Sequence, residues 1–222
     1  MTTRRIFLDG RTANPEDYYE FFADFTNTAE YVAGDWTTTN AGSGTVAINT
    51  GSAAGAAGGQ LVLTGGAADD ALLAVQNKLE CFKFVAGKKL YFSARFKLND
   101  VTQSDIAIGL QVTDTTPLAV ADGLFFRKDD GDAFLDFVAS KNSSETQKTA
   151  VATLVNDTFV KVAFYYDGAD SAVYVDDNAV GRVTPLTNVV DDEELCISFA
   201  VQNGEAVSKV MTIDYVRALV ER

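Results

Sequence analysis

Apolar, β-prone runs broken by polar turns of Asp, Asn and Gly recur along most of this chain, most plainly from Phe159 to Asp177. Phe159, Lys161, Ala163 and Tyr165 fall on one face of an extended strand, with Val160, Val162, Phe164 and Tyr166 on the other. At least one face is therefore continuously apolar, as a sheet packed on a second sheet requires. Asp167 and Gly168 supply a turn tolerant of left-handed backbone, Ala172–Asp176 pairs back, and Asp176, Asp177 and Asn178 mark the next reversal.

The same texture predicts strands from Asp35 onward. A short start at 35–39 is followed by Gly44–Asn49, Gln60–Thr64, Leu72–Gln76, Glu80–Phe84, Lys89–Leu98, Ile106–Thr113, Gly123–Lys128 and Ala133–Ala139. Gln147–Thr153, Phe159–Asp167, Ala172–Asp176, Ala179–Val183, Leu195–Gln202 and Lys209–Leu219 complete the set. Strands separated by Gly, Asn and Asp turns fit a large antiparallel sandwich better than alternating β/α units. The stretch Thr50–Gly59 is Gly- and Ala-rich, offers no side chain to anchor it in a core, and reads as a mobile loop, or as a linker if an arm precedes it.

Residues 1–30 read differently, as an N-terminal arm ahead of a sandwich domain at 31–222. Asn14, Pro15, Glu16 and Asp17 combine a capping side chain, a first-turn proline and two acids, which predicts a short helix over Pro15–Asp24. On it Tyr18, Phe21, Phe22 and Phe25 recur at i, i+3, i+4 and i+7, forming an aromatic stripe. That stripe either packs on the chain's own sandwich or docks, with Arg4 and Arg5, on a neighbouring subunit.

A length of 222 residues suits one large all-β domain. The net charge of −13 argues against a nucleic-acid partner, whose phosphates are bound by Lys and Arg. No apolar window is long enough for a membrane helix and no secretory segment follows Met1, so the expected site of synthesis is a cytosol. Cys81 and Cys196 sit in apolar runs far apart and read as small buried hydrophobes. Histidine is absent, which removes Ser-His and Cys-His dyads and leaves chemistry to carboxylates.

The segments 88–98, 108–112, 122–126, 158–177 and 213–216 together resemble the concanavalin A-like jelly roll shared by laminin G-like modules, legume lectins and jelly-roll glucanases. The resemblance spans about residues 33–222 and implies an all-β, two-sheet antiparallel jelly-roll sandwich, here with a short N-terminal helical arm. Retaining glucanases of this fold carry Glu-x-Asp-x-x-Glu on one strand, and the chain has no such string. Its nearest acidic run is 129–136, in which Asp132 and Asp136 share a strand face. Calcium, which laminin G-like modules bind at the rim, would draw on Asp69, Asp70, Asp122, Asp129, Asp130 or Asp132. None of these completes a known loop pattern, so no metal or cofactor is assigned. The run Asp191–Glu194 reads as a solvated loop. Trp36, Tyr165, Tyr166 and Tyr174 are the candidate sugar platforms.

An acidic lectin-like roll with an arm also resembles capsid decoration or cement proteins of tailed phages. That resemblance implies a non-enzymatic virion protein, made in the host cytoplasm and binding the major capsid protein or other virion subunits through Arg4, Arg5, Tyr18, Phe21, Phe22 and Phe25. A homo-oligomer is a further expected association. The alternative expectation is a carbohydrate-binding, lectin-like module with a glycan as partner, and neither nucleic acid nor membrane is expected.

Overall fold

A computed structural model describes residues 16–50, 58–184 and 186–222. Arg4, Arg5 and the centre of the Gly/Ala loop lie outside the described residues. In chain order the strands are β1 (Tyr18–Ala23), β2 (Trp36–Asn40), β3 (Thr45–Thr50), β4 (Gly59–Thr64), β5 (Leu72–Asn77), β6 (Leu90–Leu98), β7 (Ser104–Gln111) and β8 (Gly123–Lys128). There follow β9 (Phe134–Lys141), β10 (Ser144–Thr153), β11 (Val160–Tyr166), β12 (Ser171–Val175), β13 (Asn178–Val183), β14 (Cys196–Asn203) and β15 (Val210–Glu221).

The strands form two antiparallel sheets. One has eight strands in the order β13-β12-β11-β6-β15-β4-β3, with β1 also on β15; the other has seven, in the order β10-β9-β8-β7-β14-β5-β2. Alternation decides which residues fill the space between them. Val162, Phe164 and Tyr166 of β11 join Phe92 and Phe96 of β6 in the core, facing Phe126, Phe137, Ile108 and Phe199 from the other sheet. Asp176 and Asp177 join β12 to β13 with φ of 48° and 66°, the left-handed pair a tight hairpin turn needs. Trp36 stacks on Phe199 at 6.0 Å inside the core.

The N-terminal segment departs from expectation. Among the described residues the expected helix is the strand β1, whose six residues pair with Val216–Glu221 of β15. A ten-residue helix is marginal alone, whereas the β-prone run Tyr18-Tyr-Glu-Phe-Phe finds an open strand edge that satisfies its backbone. The four-aromatic stripe is dissolved as a result. Phe21 meets Trp36 edge-on at 6.2 Å and Phe25 is fully buried, while Phe22 stays 56 % exposed beside Tyr215. The expected strand at Glu80–Phe84 shrinks to one bridge between Phe82 and Leu195.

Gly109 sits mid-strand because Phe125 leaves no room for a side chain. A Cβ there would lie 2.5 Å from the Phe125 Cα and Cβ. Gly109→Ala is expected to lose about 1–3 kcal/mol through overpacking, read as a lower urea midpoint at unchanged m-value.

Candidate functional site

The outward face of the seven-stranded sheet follows from its register. One row across the sheet reads Gln147, Val138, Phe125, Gly109, Ser198, Gln76 and Thr37; the next reads Asp136, Arg127, Ala107, Ala200, Ala74 and Thr39. The middle of this face is a floor of small residues. It is covered by the segment 112–122, whose Leu118 and Val120 pack with Ala74, Ala107, Phe125, Val138 and Ala200. Amide and hydroxyl groups of the floor fasten that strap. Gln111 Nε2 donates to Pro117 O at 2.8 Å, Ser140 Oγ to Ala121 O at 2.8 Å, and Gln76 Oε1 accepts from Asp114 N at 3.0 Å.

Beyond the strap, over β9 and β10, the face opens into a cleft of about 360 Å³ lined by Asp129, Asp132, Phe134, Asp136, Thr149 and Ala150. A β-bulge shapes it. The pairing of β10 with β9 shifts between Lys148 and Ala152, and Ala150 adopts φ 52°, turning its N–H onto Asp136 Oδ1 at 2.7 Å. Asp132 Oδ1 likewise accepts the Phe134 N–H at 2.7 Å, closing the turn into β9. The second oxygen of each aspartate has no hydrogen-bond partner among the described residues. Phe134 is 48 % exposed at the rim, a large apolar ring left in water beside the acids.

Two cations hold this acidity in place. Arg127 opposes Asp136 across β8 and β9, forks onto Glu145 at 2.7 and 3.0 Å, and lies 3.6 Å from Asp129. Burial works against the guanidinium charge, but Glu145, Asp129 and Asp136 outweigh it and raise its pKa; Arg127 in turn holds the Glu145 carboxyl below its usual range. Lys128 points the other way and is buried, its ammonium donating to Ser104 O and to Asp129 O. Burial pushes its pKa down against the pull of Asp105, Asp132, Asp130 and Asp129. Asp105 is itself pushed up by burial and accepts the Asp130 N–H at 2.6 Å.

The residues singled out from sequence disperse. Asp132 and Asp136 do share the cleft, with Asp129, whereas Asp122 instead accepts the Asn142 N–H at 2.9 Å. Trp36 and Tyr166 are core, and Tyr165 and Tyr174 pack with Tyr91, Ala163 and Leu219 on the outer face of the other sheet. Among the described residues no group of three or more acidic or sulfur side chains is arranged to hold a metal ion. Both cysteines are free thiols, and burial raises the Cys196 thiol to about 12, so it is no nucleophile near neutral pH. Arg127, Phe134, Glu145 and Ala150 were not picked out. Even spacing from Asp132 through Phe134 to Asp136 places Phe134 on the face of the two acids without marking it as exposed, and nothing in the sequence marks the other three.

Two packed antiparallel sheets in this order, with an open acidic face, define a jelly-roll sandwich of the kind found in glucanases and lectins. Solved structures with this fold include the Bacillus licheniformis beta-glucanase (TM-score 0.61, 16 % identity, 90 % of this chain and 97 % of that one). The endo-1,3-beta-glucanase of Streptomyces sioyaensis gives 0.60 at 14 % identity over 95 % and 99 %, and peanut lectin 0.58 at 13 % over 92 % and 97 %. No protein-family model and no curated protein sequence matches the chain. At these identities the likeness shows the fold. The expectation of a non-enzymatic virion subunit is overturned by these neighbours, several of which degrade glucans, and a capsid context has no support.

Proposed function

We propose that this protein acts on a neutral polysaccharide held in the acidic cleft over β9 and β10. The observation that carries this reading is the cleft itself, where three carboxylates meet an exposed phenylalanine ring on the open part of the sheet. Carboxylates accept hydrogen bonds from sugar hydroxyls, and the C–H face of a pyranose stacks on an aromatic ring. Asp132 and Asp136 each spend one oxygen on the backbone, so each is oriented with its second oxygen left for a ligand. Three aspartates within a chain of net charge −13 repel uronates and phosphorylated glycans, which leaves neutral sugars.

The fold likeness to beta-glucanases supports a glucan as the polymer, and a carboxylate pair is what glycosidic-bond cleavage requires. Asp132 and Asp136 are the residues assigned to that pair, with Phe134 as platform and Arg127 fixing the acids beside it.

A glycan array followed by reducing-end assays on soluble β-glucans tests this. Wild-type protein is expected to bind neutral glucans in preference to uronates. Phe134→Ala is expected to weaken binding about tenfold, the worth of one stacked ring. Asp136→Asn, which keeps an acceptor for the Ala150 N–H, is expected to abolish release of reducing ends. Folded wild-type protein that binds no neutral glycan would sink the reading; binding without release would reduce it to recognition alone.

A further inference from the structure

Residues 36–68 contain no Asp, Glu, Lys or Arg, in a chain where 22 % of residues are charged. The structure gathers the described part of this stretch onto one flank of the sandwich. β2 ends the seven-stranded sheet and β3 ends the eight-stranded sheet, and the turn between them is tied by Asn40, whose side chain bonds the Gly44 carbonyl at 2.8 Å and the Gly44 N–H at 3.2 Å.

Among the described residues β3 pairs only with β4, so every second backbone N–H and C=O along Thr45–Thr50 faces outward. Thr45, Ala47, Asn49 and Thr50 are exposed, and Val46 and Ile48 rest on the core. Natural edge strands are normally guarded by lysine, proline, a bulge or an inward charge, because an open edge templates further pairing. The opposite flank has such guards. β10 carries Glu145, Lys148 and the Ala150 bulge, Lys148 lies across Gly181 of β13, and Arg182 of β13 is ion-paired with Asp167 and Asp170. β3 has none.

We infer that the β3 edge is a self-association surface, on which a second copy of this chain pairs its own β3 antiparallel about a two-fold axis and continues the eight-stranded sheet across the dimer. The occupant is a second copy because β2 and β3 themselves offer no charge to attract an oppositely charged partner. These strands are also where two chains of net charge −13 can meet without placing like charges in contact. Antiparallel β3 on β3 is self-complementary, as a two-fold interface must be. The inference is independent of the cleft over β9 and β10, which lies at the other flank.

Light scattering coupled to gel filtration on the full chain, across a concentration series, should give twice the 23.8 kDa monomer mass at high concentration. Ala47 is exposed near the middle of the strand, so Ala47→Lys and Ala47→Glu each bring like charges together across the axis and should weaken the dimer at least about tenfold. Mixing the two variants should restore it as a heterodimer. Hydrogen exchange of the wild-type protein gives a second readout, in which outward β3 amides are protected at high concentration and exposed on dilution. A monomer at every concentration, or a dimer undiminished in both variants, overturns the inference.

Discussion

Replacing Lys209 with alanine is expected to lower the unfolding free energy by about 3–5 kcal/mol, a large share of what a domain of this kind has. The side chain is 2 % exposed, yet it carries a charge. Its Nζ donates to Asp100 Oδ2 at 2.9 Å and Glu205 Oε1 at 2.6 Å, and its backbone N–H goes to Asn203 Oδ1 at 3.0 Å. Asn203 in turn caps the carbonyls of Gly66 and Ala68, so Lys209 fastens three loops at one end of the sandwich. Truncation leaves the half-buried Asp100 without its counter-charge and opens a cavity behind it. Glu205 is too exposed to contribute much.

The same site has a pH signature. Burial opposes ionisation of Asp100, but Lys209 and the N–H groups of Thr102 and Gln103 outweigh it and hold the carboxyl down to about 2. A carboxyl with a depressed folded pKa stabilises above its unfolded value of 3.8, and that contribution, about 2 kcal/mol, is lost as pH falls from 3.8 toward 2. Chemical denaturation at pH 7 and along that acid limb measures both effects. Asp100→Asn combined with Lys209→Met should cost less than the sum of the two singles. Additive losses, or an acid limb unchanged in Lys209→Met, would remove the pair from the stability of the fold.

Phe164→Ala is the second large loss expected, about 3–5 kcal/mol, with Phe164→Leu losing only part of that. Phe164 is fully buried and joins the two sheets. It stacks on Phe92 of its own sheet at 5.3 Å and meets Phe137 at 5.5 Å and Phe126 at 6.3 Å from the other. Removing the ring vacates the centre of a four-phenylalanine cluster whose strands are held by backbone ladders, so collapse into the void is limited. A thermal or denaturant midpoint decides it. A loss below about 1 kcal/mol would mean the sheets repack freely, contrary to this core.

Strand existence was legible because burial on one face imposes a period of two whatever the partner. The expected Gly123–Lys128 coincides with β8, and the turns at Gly168 and Asp176-Asp177 fall where their residue types demand positive φ. What was not legible depended on partners distant in sequence. Tyr18–Ala23 looked helical while its mate, Val216–Glu221, lay at the other end of the chain. Gln147–Thr153 reads as one uninterrupted strand, and only the Asp136 carboxylate, which draws in the Ala150 N–H, turns it into a bulge and opens the cleft. Trp36 and Tyr166 were candidates for sugar contact by residue type alone, and the core claimed both. The acids of the cleft were visible as a string; the ring between them was not, since one phenylalanine among alternating residues carries no sign of exposure.

β15 also governs the order in which this protein comes into being. It hydrogen-bonds to β6 along one side and to β4 and then β1 along the other, so three segments made much earlier share a neighbour that leaves the ribosome after all of them. Until then β1 has no strand partner, β4 is an open edge on a nascent chain, and the eight-stranded sheet is in three pieces. Such non-local closure makes folding slow and exposes aggregation-prone intermediates in the interval. Chains arrested before Val210 should therefore be the species that chaperones hold and proteases remove.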